Sequence, residues 1–284
     1  MTTRIAVCRP RLPDADRLLP YLRRVDDARI YTNWGPLTAE LEHRLCALLG
    51  LPVSSVVSAS SGTAALIGAI LAGAGRATPG RPLAIVPAFT FVGTALAVEL
   101  CGYRPYLVDV DPVTWLLDIE RLAEHRRLAE VGLVVAVAAF GRPVPHAPCL
   151  DFRERTGIPV VIDGGASFEG ILASPARYLG ELPTALSFHA TKSFSTGEGG
   201  CVVTTDDKLS VGVTRALNFG FFGDRNTQSP STNGKMSEYH AAVGLAELDA
   251  WPQKCHAFDV VARAYRQRMA AAGSRRNPGN TVAG

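Results

Sequence analysis

The sequence offers little that would tie it to a membrane, a metal or a nucleic acid. Its longest apolar runs, Ala64–Ala74 and Leu133–Phe140, fall well short of the roughly 18 residues a span needs, so both read as buried core. The opening MTTRIAVCRPRLPDAD holds no apolar leader stretch. No C-x-x-C pair occurs among Cys8, Cys46, Cys101, Cys149, Cys201 and Cys255, and the six histidines show no metal-ligand spacing. The 29 Lys+Arg against 26 Asp+Glu leave a net charge of only +3, which argues against nucleic acid or an anionic membrane as partner. No G-x-G-x-x-G follows a strand, and Walker and G-x-S-x-G motifs are both missing. With 47% apolar and 19% charged residues, disorder and coiled coil are excluded as well. What remains is a globular protein with reduced, mostly buried thiols, expected in the cytoplasm, whose 284 residues allow a sizeable core.

Strand and helix patterns alternate through most of the chain. Pro13 to Val25 predicts an amphipathic helix, and Thr38 a cap for a second helix that Gly50 stops. Val53–Ser58, Pro82–Pro87, Pro105–Val110, Val131–Phe140 and Ile158–Asp163 read as strands. Between them lie helices in SSGTAALIGAILAG, Thr90–Leu100, Ile119–Glu130 and Cys149–Thr156, the first two expected to be buried. Apolar rather than alternating strands argue for a parallel sheet covered by helices on both faces. Thr184–His189 and Cys201–Thr205 are strands separated by the loop TKSFSTGEGG. Helices follow over Met236–Leu248 and Trp251–Met269, and SRRNPGNTVAG reads as a frayed tail.

Ligands of such sheets bind at the carboxyl ends of the strands, and four features stand there. Ser60-Ser61-Gly62-Thr63 opens a buried helix after a strand, either as a phosphate cradle or as an ordinary cap. Asp163 ends a very apolar strand before Gly164-Gly165, to pair a protonated pyridine nitrogen or to cap the next turn. Lys192 precedes the glycine-rich STGEGG; a lysine so placed forms a Schiff base or is simply solvated. Asn233-Gly234 marks a turn before a helix. Together they describe a phosphate site, an acid for a ring nitrogen and a lysine for an aldehyde, a combination that suits pyridoxal phosphate (PLP) better than a dinucleotide or a metal.

The blocks NWGPLTAELE, SSGTAAL, VPAFTFVGTALAVELCGYRPYLVDVDP, VVIDGGASFEG, LSFHATKSFSTGEGGCVVTTDD and NGKMSEYHAAVGLAELD, in that order, resemble the DegT/DnrJ/EryC1/StrS family of sugar aminotransferases, in the fold-type I class of PLP enzymes. The resemblance implies a three-layer α/β/α large domain like that of aspartate aminotransferase, with a mainly parallel sheet, over residues 1–250. Residues 251–284 would then be the start of a small C-terminal domain that is otherwise largely absent. It implies Lys192 as the lysine joined to the cofactor and as acid/base, with Asp163 on the pyridinium nitrogen. Gly62, Thr63 and Ser187 would hold the phosphate, and Phe91, rather than Phe89, would stack on the ring. Asn233 would be donated across a homodimer interface to the neighbouring subunit's phosphate. The implied reaction moves an amino group from an amino acid, usually L-glutamate in such families, to a keto sugar linked to a nucleotide, in amino-sugar or surface-polysaccharide biosynthesis.

The family's glutamine three residues after the acid is replaced by Ala166, with Ser167 as a candidate substitute. Two alternatives accompany this reading. A sugar dehydratase of the same family would carry histidine in place of Lys192, and a non-catalytic, shortened remnant would be expected to have lost some of Lys192, Asp163 and Ser187.

Overall fold

The computed structural model describes residues 6–272. Seven strands make one sheet: β1 (Val56–Ala59), β2 (Leu83–Pro87), β3 (Arg104–Val108), β4 (Val131–Val137), β5 (Val160–Asp163), β6 (Thr184–Ser187) and β7 (Gly200–Val203). Their order is β1-β7-β6-β5-β4-β2-β3; β7 runs antiparallel to both its neighbours and the other pairs are parallel. The helices are α1 (Ala15–Ala28), α2 (Pro36–Leu49), α3 (Gly62–Gly73), α4 (Val92–Leu100), α5 (Ile119–Leu122), α6 (His146–Thr156), α7 (Phe168–Leu172), α8 (Pro175–Tyr178), α9 (Asp207–Leu217) and α10 (Glu238–Ala271). This mainly parallel α/β sheet is the architecture that the resemblance implies.

Both faces of the sheet are buried, which is why its strands read as unbroken apolar runs. Val135, Val161 and Val202 pack under Leu66 and Ile70 of α3, Val98 of α4 and Leu217 of α9. On the opposite face Leu186 and Cys201 meet α2 and α10 through Leu41, Leu45, Leu245 and Trp251, while Ile85, Val134 and Ile162 meet Phe152 of α6. Successive residues of β4 serve opposite layers, as the two-residue period of a strand requires.

A buried carboxylate joins two helix starts far apart in sequence. Glu238, the first residue of α10, accepts from Leu37 N at 2.7 Å and Thr38 N at 3.0 Å, and also from the Thr38 hydroxyl. Thr38 is therefore not the cap of α2, as its residue type suggested; Gly35 holds that place, and Thr38 sits in the first turn against Glu238.

Three other expectations are corrected. Helix α4 buries only one side, with Val92, Leu96 and Leu100 exposed. The stretch 119–130 is not one helix: α5 ends at Leu122, and Arg127 N donates to the His125 ring instead of to a helical carbonyl, leaving a separate turn at Leu128–Glu130. The two terminal helices are one, because α10 continues through Pro252. Helix α9 lies in a stretch with no element expected from sequence; the Asp206 carboxylate caps it by accepting from Lys208 N and Leu209 N. The tail SRRNPGNTVAG lies outside the described residues.

Candidate active site

Strand β1 passes into α3 with almost no loop. Ser60 N donates to Gly234 O at 2.7 Å, and the Ser61 hydroxyl accepts from Ala64 N at 3.0 Å, so the helix opens with a capped turn. Backbones crowd behind it. A methyl on Gly62 would stand 2.6 Å from Ser187 Cβ, and one on Gly200 would stand 2.6 Å from Leu186 O and 2.9 Å from Gly62 N. Glycine at both places lets α3 begin directly against the ends of β6 and β7. The positive end of a 12-residue helix, Thr63 and the Ser187 hydroxyl thus share one rim.

Asp163 ends β5 beside that rim. Its Oδ2 accepts from Thr94 Oγ1 at 2.7 Å and its Oδ1 from Gly165 N at 3.0 Å; Thr90 Oγ1 lies 2.7 Å from Thr94 Oγ1. The side chain keeps an exposed edge, yet its surroundings are dry enough that burial pushes its pKa up. Thr94, Gly165 and the charge on Lys192 each pull it back. Thr94 has no counterpart among the candidates read from sequence. Its signal was a hydroxyl on the buried side of an otherwise apolar helix.

Lys192 follows a tight turn in which its own N–H donates to His189 O at 2.8 Å and the His189 ring bonds Thr191 Oγ1 at 2.9 Å. It lines a cavity of about 460 Å³ together with Arg9, Arg11, Arg17, Lys254 and Glu247. Asp163, Ser187 and Thr63 do not line that cavity, although the charge of Lys192 acts on the Asp163 carboxyl. Glu247 is buried and paired with Lys254; burial raises its pKa, and the pairing with Lys254 lowers it.

The two phenylalanines of PAFTF part company. Phe91, 77% exposed, precedes α4 with its ring against Gly93, whose Cβ position lies 3.5 Å from Thr63 Oγ1. Phe89 turns away and packs on Trp115 and Phe140. Asn233 is exposed on the loop before α10, where its Oδ1 accepts from Lys235 Nζ at 2.6 Å. Ser167 does not replace the family glutamine: it is buried, and its hydroxyl donates to Gly164 O at 2.8 Å, while Ala166 is exposed.

These groups fit PLP. A half-buried carboxylate whose ionised form is disfavoured suits a cationic ring nitrogen, and a backbone cradle that a single Cβ would close suits a phosphate. The model of the DegT/DnrJ/EryC1/StrS aminotransferase family matches residues 14–281. The chain belongs to this family. Within DegT/DnrJ/EryC1/StrS proteins it is 34% identical to dTDP-4-amino-4,6-dideoxy-D-glucose transaminase of Shigella dysenteriae, over 86% of this chain and 65% of that protein. It is 31% identical to GDP-perosamine synthase of Caulobacter vibrioides, over 96% of this chain and 72% of the relative. It superposes on DesI, solved in the presence of its TDP-sugar product, with a TM-score of 0.76 and 33% identity, covering 89% and 62% of the two chains. The chain spans about two thirds of the length of the curated relatives it matches. PLP is the cofactor of this family.

Proposed function

We propose that the chain is the cofactor-binding part of an aminotransferase that moves an amino group from an amino acid, L-glutamate in the simplest case, to a keto sugar linked to a nucleotide, for amino-sugar or surface-polysaccharide biosynthesis in the cytoplasm. The observation that supports this reading is Asp163 at the end of β5 beside the Gly62–Ser187 cradle at the end of β6, with the charge of Lys192, in the loop after β6, acting on the Asp163 carboxyl. On this reading residues 1–250 form the large domain and residues from 251 begin a second one.

Bound PLP supplies the aldehyde that takes up the amino group and the electron-poor ring that spreads the charge left when a Cα–H bond breaks. The Asp163 carboxylate would accept from the ring N–H and keep that nitrogen cationic, while Thr94 fixes the carboxylate's direction. The amides of Gly62 and Thr63 and the Ser187 hydroxyl hold the phosphate, and the exposed ring of Phe91 supplies a stacking face. Lys192 Nζ would be the group that holds the cofactor's aldehyde carbon and the acid/base that would carry a proton within the site.

A homodimer accompanies the proposal. Val92, Leu96 and Leu100 make an exposed apolar stripe on α4 next to Phe91, suited to burial against a second copy that contributes Asn233.

The test is an absorbance spectrum of the PLP-loaded protein beside Lys192→Ala, followed by borohydride reduction and peptide mapping. A visible band bleached by L-glutamate, with the reduced adduct on Lys192, is expected. The absence of a band, or an identical spectrum from Lys192→Ala, overturns the reading.

A further inference from the structure

Two aromatic clusters are built into this chain, and they differ in kind. Phe168, Phe188, Phe194 and Trp251 interlock with centroids 4.8–6.0 Å apart, and all four are buried in the core under α10. Phe89, Trp115 and Phe140 also touch pairwise, at 5.8, 5.5 and 5.6 Å, yet they are 43%, 37% and 80% exposed. Packing alone gives no reason to gather three large rings at a surface, where their apolar area remains in water.

Each ring of the second cluster follows the carboxyl end of one of three adjacent parallel strands: Phe89 after β2, Trp115 beyond β3 and Phe140 after β4. Two of them are held in left-handed backbone, Trp115 at φ 62° and Phe140 at φ 49°, a conformation that costs a non-glycine residue and concentrates at functional positions. The Trp115 loop is braced from within. Asp111 Oδ1 accepts from Val113 N and Thr114 N, Asp111 O accepts from Trp115 N at 2.8 Å, and Asp111 N donates to Leu116 O at 3.0 Å. Trp115 is thus preorganised on a hydrogen-bonded turn, against which Phe89 and Phe140 pack, which lowers the ordering cost of a ligand laid on the rings.

The cluster adjoins the site. Thr90, next to Phe89, begins the hydroxyl chain through Thr94 to Asp163, and Gly141, next to Phe140, lies against Ala166, three residues beyond Asp163. Beside the rings, the Arg142 guanidinium reaches Thr114 O at 3.5 Å, and the hydrogen bonds from Thr114, with a smaller contribution from the charge of Arg142, hold the Asp111 carboxyl below its ordinary pKa.

We propose that Phe89, Trp115 and Phe140 form the stacking platform for the nucleobase of the sugar-nucleotide substrate. The inference rests on the sugar-nucleotide reading above and places the base at the end of the crevice away from the phosphate cradle. A planar heterocycle is the ligand class that an exposed set of braced rings takes without hydrogen-bond readout, and the cationic Arg142 alongside suits the phosphates that follow the base.

The probes are dTDP, UDP and GDP, with inorganic pyrophosphate as the base-free control, titrated into the PLP-loaded protein by calorimetry and tryptophan fluorescence. Nucleoside diphosphates are expected to quench emission in the wild type and not in Trp115→Phe, which keeps its affinity. Phe140→Ala is expected to bind them about tenfold or more weakly and to bind pyrophosphate as the wild type does. Equal affinity of Phe140→Ala and wild type, or no binding by the wild type, overturns the proposal. A change of oligomer mass in Phe140→Ala also overturns it, since the rings would then be covered by a second copy. The PLP band and its bleaching by L-glutamate need neither base nor platform. If they persist while base binding is insensitive to the rings, only the platform falls; if they are absent in the wild type, the aminotransferase reading falls and takes the platform with it.

Discussion

Thr94 on the first turn of α4 donates a 2.7 Å hydrogen bond to Asp163 at the end of β5, tying the helix that follows Phe91 to the acid of the crevice. A bond to a charged acceptor is the strong kind, worth about 1.5–3 kcal/mol, and this one sets the direction of the carboxylate rather than touching a substrate. Thr94→Val is therefore expected to bind PLP through Lys192 yet slow the L-glutamate half-reaction about tenfold or more, with little change in KM. Thr94→Ser should recover most of the rate in single-turnover measurements, which a purely structural role for the methyl group would not allow.

Asp163 also predicts a pH dependence. Its folded pKa is raised above the ordinary value of 3.8, so the neutral form favours folding. That contribution is complete below the ordinary value and is lost as pH rises through the raised one. Asp163→Asn cannot ionise and does not lose it. In cofactor-free protein, the melting temperature of Asp163→Asn relative to wild type should rise as the pH is taken upward from about 4. Added PLP should reverse the order at pH 7, because only the carboxylate answers the ring nitrogen.

Gly62 gives a steric prediction. The 2.6 Å approach of a methyl to Ser187 Cβ has no flexible neighbour to absorb it, so Gly62→Ala should separate α3 from β6. A loss of about 1–3 kcal/mol in urea unfolding and at least a tenfold weaker PLP titration are expected. Gly80→Ala, where nothing lies within 4 Å, is the matched control and should change neither.

Shared sites in a homodimer would be exposed by mixing two inactive variants. Lys192→Ala and Asn233→Ala, denatured and refolded together, should regain activity up to about a quarter of wild type, since half the dimers are mixed and each mixed dimer holds one intact site. No recovery, with each variant alone correctly folded, would place Asn233 in its own subunit's site.

The parts of the fold that were legible in sequence are those fixed by local chemistry. The buried strands, the Ser61-capped helix α3 and the Gly50 stop after α2 follow from composition and turn residues alone. What escaped depends on distant partners. Thr38 looked like a cap because the glutamate it serves arrives 200 residues later. The exposed stripe of α4 is as apolar as a core helix, so composition could not reveal which side faced out. In the site, Lys192, Asp163 and Ser187 stand in recognisable sequence blocks, but Thr94 needed its hydrogen bond from α4 to the end of β5, and the partition of Phe89 from Phe91 needed the rings of Trp115 and Phe140.

The carboxylate that joins α2 to α10 sets an order of events on the ribosome. Helix α2 emerges early, but the two amides at its start, Leu37 N and Thr38 N, wait for Glu238 through 201 and 200 further positions. At about 5–20 residues per second that interval is about 10–40 s, during which the first turn of α2 can be satisfied only by water or by a chaperone. The N-terminal helix pair therefore reaches its final anchorage only after the whole sheet has been made, and translation pauses before Glu238 would prolong its exposure.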